Sequence, residues 1–414
     1  VTNPENNGVR RRPLEKPPQQ RSKSFFALVS RYSIQRWRHG ELGALPVIIG
    51  LVVISAYFEI QEPTFLSARN ISNLIVQIAA TGSVAVGIVL VLLLGEIDLS
   101  VGSVSGLCSA LLGVLIVNHE SSWWLAILLV LLTGAAIGAF QGAWFAFVGV
   151  PSFVVTLAGF LAWQGVQLRV LGSTGTVNVF EPHIEAIAQT YLTASWGWGI
   201  GLSAAVVYLL ALWVTQIRRR RGGLSSTPMF VSLSRSLVVF ALAVVGVEIL
   251  SHFRGVPTAG AILLGLVVLF SFVTTRTRFG RYIFAVGGNA EAARRAGVKV
   301  ARIRITVFAL SGMMAATGGI IFVSRLTAAS TQTGGGTFLL EAIAAAVIGG
   351  TSLFGGRGSA WSALLGALVI GSVSNGLDLM AQPPEIKYMV EGAILLAAVS
   401  VDALARRSRM ASGR

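Results

Sequence analysis

Apolar runs long enough to carry a helix across a bilayer, about 20 residues, recur along almost the whole chain. They fall at 43–60, 71–94, 99–117, 123–148, 151–171, 195–216, 237–252, 258–275, 303–324, 338–351, 359–377 and 386–403, twelve in all. Short polar or basic segments separate them. The runs at 237–252 and 338–351 are short, so each is expected to be tilted, re-entrant or half-spanning. The pair 71–94 and 99–117 can also be read as one interrupted unit. The pattern predicts an all-α polytopic membrane protein with about 10–12 transmembrane helices, some broken or re-entrant.

The interruption between that pair reads GEIDLSVGSVSGL, Gly95 to Leu107. It holds two acids, Glu96 and Asp98, and then Ser100, Gly102, Ser103, Ser105 and Gly106. An ionised side chain in hydrocarbon costs about 2.5–3.5 kcal/mol by insertion scales. A polar, broken element at membrane depth is tolerated when protein buries it or when it faces a water-filled cavity. On that reading the stretch belongs to a transport pathway. On the other, the acids lie just outside the bilayer in a short turn, and Ser100 caps the following helix. Spacing alone leaves the two even.

Composition supports the membrane assignment. Of 414 residues 54% are hydrophobic and 12% charged, and mean hydropathy is +0.75, whereas globular domains average about 25% charged residues. The chain has 47 glycines and 12 prolines, both more frequent in membrane helices than in soluble ones. A formal charge of +15 could suggest nucleic acid, but the basic residues cluster between apolar runs. With twelve crossings and an inner N-terminus, 26 of the 32 Lys and Arg fall in inner segments. The positive-inside rule explains that asymmetry without a polyanion and places both termini in the cytoplasm. The loop 172–194 has no Lys or Arg and falls outside, and Trp123, Trp124, Trp196 and Trp198 lie at expected outer boundaries.

Residues 1–42 are polar, basic and proline-containing, and are expected to be a largely disordered cytoplasmic tail, with an interfacial helix near Phe25 to Trp37. No signal peptide is expected there. The transmembrane part is 43–403, followed by a basic tail, 404–414. The basic insert Arg218 to Arg221 matches no motif. Cys108 is the single cysteine, so no internal disulfide forms. No Cys/His cluster suggests a metal, no cofactor motif is present, and no GxxxxGK[ST] phosphate loop occurs. Lone His183 is read as a surface residue; Glu59 and Glu62, which flank the first outer loop, and Glu341 and Glu391, near outer helix ends, are read as solvated acids or as contacts for a protein outside the membrane.

The segment Phe279 to Arg304 reads FGRYIFAVGGNAEAARRAGVKVARIR. Gly287-Gly288 should break the chain, Asn289 should cap a short helix Ala290 to Ala296, Glu291 sits where the helix dipole favours an acid, and Gly297 should end it. Such an alanine-bearing helix can enter a groove on another protein. Its Arg294 and Arg295 also suit a helix lying on lipid headgroups.

A family resemblance bears on that choice. GGNAEAARRAGVKV resembles the coupling loop of ABC importer permeases. GEIDLSVGS at 95–103 and VIGGTSLFGGRGS at 347–359 are similar to two further motifs of the permeases of carbohydrate ABC importers. All three lie in the family's order, and the resemblance covers about 43–403. The runs around 195–275 look most like the xylose-type permease.

The resemblance implies a bacterial inner-membrane permease without enzymatic activity that imports a monosaccharide, xylose-like. Its partners would be a cytoplasmic ATPase subunit, an extracytoplasmic sugar-binding protein, a second copy of the chain and membrane lipid. It assigns Gly288, Asn289, Glu291, Ala292, Arg294, Arg295 and Gly297 to ATPase coupling, and Gly95, Glu96, Asp98, Ser100 and Gly102 to a signature motif. Asp98 and Glu96 are expected to fix that motif by capping the Ser100 and Gly102 amides. A sugar path needs donors, acceptors and aromatic faces. The candidates are Asn73, Gln77, Phe153, Thr156, Gln164 and Asn375, with Trp163 and Ser374. Each could instead make an interhelical hydrogen bond, worth about 0.6 kcal/mol. The alternative function is an ion- or proton-coupled secondary sugar transporter, for which intramembrane acids and broken helices are also expected. An intramembrane enzyme would need a catalytic constellation that the spacing does not provide.

Overall fold

In the computed structural model, residues 45–222 and 229–411 are described. The expected tail 1–42 lies outside them. The helices run in the order the apolar pattern predicts: α1 (Leu45–Gln61), α2 (Ala68–Leu93), α3 (Val101–Val117), α4 (Trp123–Val148), α5 (Ser152–Leu171), α6 (Pro182–Gln189), α7 (Ala194–Arg221), α8 (Met229–Ser251), α9 (Thr258–Arg276), α10 (Arg278–Gly288), α11 (Ala290–Arg295), α12 (Val300–Leu326), α13 (Phe338–Ile348), α14 (Ala360–Leu379) and α15 (Pro384–Ala411). By length and composition six of them can cross a membrane among the described residues: α2, α4, α5, α9, α12 and α14. The chain is an all-α polytopic membrane protein.

Several expectations change in detail. The run 237–252 is the apolar end of a 23-residue helix, so it is not short. The run 338–351 does keep an expected form, an 11-residue helix about 16 Å long, half of a bilayer core. The 71–94 and 99–117 runs are two helices with a turn between them. Gly287-Gly288 does not break the chain: α10 runs through both, and the break falls at Asn289, whose backbone is extended (φ −160°). The 404–414 segment continues helix α15 as far as Ala411.

Helix α2 is the centre of the bundle. Inside its apolar window 83% of residues are buried, against 28% for α4 and 22% for α5. It packs against α12 and α14, and α12 packs against α4. Small residues bring these helices to backbone contact. On α4, Gly134, Gly138 and Gly142 are spaced four apart and face α12; a Cβ on Gly138 would lie 2.0 Å from the Phe308 carbonyl oxygen, and one on Gly312 would lie 2.1 Å from that of Gly134. Lipid gives no hydrophobic drive between helices, so such close packing holds the bundle. At the end of the bundle away from α11, two short antiparallel ribbons link loops. β1 (Thr176–Asn178) pairs with β4 (Ala328–Ser330), and β2 (Tyr191–Leu192) with β3 (Val256–Pro257). Between them α6 buries Ile184 and Ala188.

Gly138→Leu should push α4 off α12 and lower the stability of the detergent-solubilised protein by about 1–3 kcal/mol or more. Gly165→Ala, at a helical glycine with nothing within 4 Å, should be neutral or stabilising by about 0.4–1 kcal/mol. Thermal unfolding of the two variants checks both.

Candidate functional site

The turn between α2 and α3 is a buried polar knot. Asp98 is 4% exposed. Its Oδ1 accepts from the Ser100 amide (2.9 Å) and the Ser100 hydroxyl (2.7 Å), and its Oδ2 accepts from Ser311 on α12 (3.2 Å). The Ser100 hydroxyl also lies 2.8 Å from Gln141 Oε1 on α4. Asp98 thus fixes the turn, as expected, although it reaches no Gly102 amide. Glu96 does not cap. It accepts from Ser152 at the start of α5 (2.8 Å) and from Arg304 on α12 (3.3 Å). Arg304 also stands 4.3 Å over the Phe145 ring. Ser100 starts α3 without capping through its side chain.

The three glycine-bearing motifs meet at one place. The Leu93 carbonyl, the last of α2, accepts from the Gly356 amide at 3.0 Å. A Cβ on Gly287 would lie 1.8 Å from that same carbonyl oxygen and 2.9 Å from the Gly356 nitrogen. Gly355 (φ +83°) would place a Cβ 2.8 Å from both Gly287 O and Gly95 Cα. The turn 94–100, the end of α10 and the 352–358 loop therefore touch backbone to backbone. Asp402 on α15 ties that loop further, accepting from Ser352 Oγ at 3.1 Å.

One residue beyond α10 stands α11. Asn289 Oδ1 accepts from the Ala292 amide at 2.9 Å, which is the expected cap, and Gly297 closes the helix at φ +86°. Glu291 pairs with Arg294 and with Arg295 (3.1 Å). Hydrogen bonds first from Arg294 and then from Arg295 hold its carboxyl below its ordinary value. Glu291, Ala292, Arg294 and Arg295 are exposed. Ala293 turns inward, 6% exposed, and Ala290 packs partly buried against the core.

Near the α6 end, two cavities flank α2 and α14. The wider, about 510 Å³, is lined by Asn73, Gln77, Asn375, Asp378, Arg254 and Arg325 among others. The narrower, about 300 Å³, reaches toward α13 and α15. The structure therefore brings Asn73, Gln77, Asn375 and Ser374 to cavity walls. Phe153, Thr156 and Gln164 line neither cavity. Phe153 is 51% exposed; the Thr156 hydroxyl lies 3.4 Å from the Ile97 carbonyl in the α2–α3 turn and 3.3 Å from that of Phe153 on its own helix, so it serves the turn rather than a cavity wall. Gln167, a turn beyond Gln164, donates to the Ser330 and Thr333 carbonyls at 3.0 Å.

Some contributors escaped the sequence reading. Asn70 and Asn375 pair their amides reciprocally at 2.7 and 3.2 Å. Glu341 and Glu391 line the narrower cavity, so they face the interior of the bundle rather than its outer surface. Glu59 accepts from the Leu66 amide at 2.7 Å and closes the α1–α2 turn. The signal for Gln141 was a lone amide in an otherwise apolar helix. His183 stacks on Trp123, with ring centroids 4.9 Å apart, and is exposed. Among the described residues no group of His, Cys, Asp and Glu could hold a metal ion.

Comparison with known proteins gives consistent matches. The family described as "Branched-chain amino acid transport system / permease component" matches residues 70–399. The chain is 41% identical over 362 residues to the xylose transport system permease protein XylH of Escherichia coli (strain K12), covering 87% of this chain and 92% of that protein. It is 37% identical to the protein of that name from Haemophilus influenzae, over 86% of this chain and 95% of the relative. Identity to the ribose import permease protein RbsC of Escherichia coli (strain K12) is 33%, over 86% and 92%. No solved structure matches the chain.

Arg304→Gln should leave Glu96 without its counter-charge and reduce stability by up to about 3 kcal/mol, at the low end for a broken buried pair because both side chains keep some exposure. The double variant Glu96→Gln/Arg304→Gln should recover most of the loss. Folded yield and thermal midpoint in detergent read the difference.

Proposed function

The chain belongs to the branched-chain amino acid transport system / permease component family, and on that premise we propose that it is the transmembrane subunit of an ATP-driven monosaccharide importer, with a xylose-like pentose as cargo. The similarity to xylose and ribose permeases over most of the chain supports the cargo class. The observation that carries the mechanism is the joint at Leu93, Gly287 and Gly356. It ties an exposed, capped helix directly to the buried turn of the central helix.

In this reading α11 faces the cytosol and seats in a groove on a separate ATPase, since the chain has no phosphate loop of its own. The ATP-closed and open ATPase bind α11 with different affinity, which is the requirement for any population shift. Movement of α11 passes through α10 to the end of α2. There the Asp98, Ser100 and Glu96 contacts bind the turn to α4, α5 and α12, so the segment moves as a unit. Sugar arrives at the α6 face from an extracytoplasmic binding protein and passes between α2 and α14, where Asn73 and Gln77 offer amides. Two copies of the chain, embedded in the inner membrane with both termini cytoplasmic, form the pathway.

Co-expression with ATPase and sugar-binding partners, then reconstitution in liposomes, should give sugar-stimulated ATP hydrolysis with sugar uptake. Uptake by the lone chain under an ion gradient, without nucleotide, overturns the reading. Glu291→Lys should abolish co-purification with the ATPase while membrane insertion stays unchanged; undiminished co-purification counts against the docking role of α11.

A further inference from the structure

The narrower cavity has a chemical character distinct from its neighbour. It is bounded by α2, α14 and the first turns of α13 and α15. Glu341 Oε1 accepts from Thr337 at 2.8 Å and Glu391 Oε1 accepts from Ser374 at 2.6 Å. Among the described residues neither carboxylate has a basic partner within ion-pair distance, and the second oxygen of each has no donor. Thr81 also lines the cavity. It is 9% exposed, and its hydroxyl has no hydrogen-bond partner among the described residues, although a helical threonine commonly returns its hydroxyl to the carbonyl four residues back. Gln77 presents a free amide, and the half-exposed ring of Tyr388 forms part of the wall. The wider cavity instead carries Arg254 and Arg325. The two cavities share Gln77 and Asp378, and Asp378 is ion-paired with Lys387 of the narrower one.

We propose that the narrower cavity is a transit chamber for one neutral monosaccharide, held through its hydroxyls by Glu341, Glu391, Thr81 and Gln77, and partitioned from the wider vestibule by Gln77 and the Asp378–Lys387 pair. The volume of about 300 Å³ sits at the small end of ligand pockets and suits a single sugar ring. Free carboxylate oxygens accept the hydrogens of sugar hydroxyls, Thr81 and Gln77 complete the donor and acceptor set, and the Tyr388 face packs on a ring. Glu341, Glu391 and Asp378 outnumber the single Lys387 in the lining, and this negative balance repels sugar acids, so the chamber selects against uronates. This proposal deepens the monosaccharide reading and rests on it.

The test uses the full-length chain in membrane vesicles, in a Cys108→Ala background with Ser374→Cys. A cationic methanethiosulfonate should modify the introduced thiol at least about tenfold faster than an anionic one of similar size, as field focusing in a like-charged cleft requires. D-Xylose should slow the reaction and glucuronate should not. Glu341→Gln/Glu391→Gln should abolish the charge preference and the protection. Thr81→Val, which leaves both carboxylates in place, should weaken protection alone. Equal rates for the two reagents overturn the proposal, as do absent protection by D-xylose, equal protection by glucuronate, or protection by sodium ion instead of sugar. If the reconstituted complex transports sugar while the thiol goes unprotected, the chamber fails and the importer reading stands. If the thiol is protected while the chain stays inert with ATPase partners, the importer reading fails and the chamber stands.

Discussion

The last carbonyl of the central helix governs the arrangement around it. The final four carbonyls of a helix lack intrahelical donors. At α2 the Leu93 carbonyl is satisfied from outside, by the Gly356 amide at 3.0 Å. That bond needs three backbones within contact distance, and a side chain on Gly287 would drive straight into the oxygen it protects. Gly355 and Gly95 complete the approach at positive φ, +83° and +77°, where a side chain would be strained. The glycines are therefore spatial requirements, and each of three distant motifs supplies part of one contact.

Around that contact the two carboxylates follow the rule for water-poor interiors, where a buried polar atom without a partner costs several kcal/mol, whereas Gln141 Nε2 and Arg304 Nε stay unpaired. Asp98 draws donors from its own turn and from α12; Glu96 draws them from α5 and α12. The two acids divide the labour. Asp98 shapes the turn, and Glu96 fastens it to neighbouring helices. Cavities lined by amides and charges lie at the far end of α2, where Gln77 and Asn73 sit, so the cavities and the polar knot occupy opposite ends of one largely apolar rod.

The helices were legible because length and hydropathy decide whether a segment can cross a bilayer. The failures have physical reasons. Residues 229–236 include Ser232, Ser234, Ser236 and Arg235, which lower the hydropathy of the first turns of α8 without stopping the helix. The eight residues of α6 are too few for a span and form because Ile184 and Ala188 dock on the bundle. The α11 cap, its acid and its closing glycine were readable from local chemistry. Their meeting with Leu93 and Gly356 was not, since no local rule connects residues so far apart in sequence. Likewise Asn73, Gln77 and Asn375 could be named as polar groups in apolar surroundings, whereas Glu341 and Glu391 sit at helix ends, where position alone suggests solvent. Phe153 and Thr156 shared the right chemistry, but their helix lies away from both cavities.

Helix α12 begins five residues after α11 ends and runs unbroken for 27 residues, about 40 Å. Near its far end the Ser324 hydroxyl accepts from the Ala188 amide at 2.8 Å and lies 3.1 Å from the Glu185 carbonyl, while Gln189 holds the Ser324 carbonyl at 3.1 Å. The small helix on one face and the peg on the other are thus fitted to the same strut. A load placed on α6 therefore bears on the same strut that α11 adjoins, with no signal having to cross the interior residue by residue.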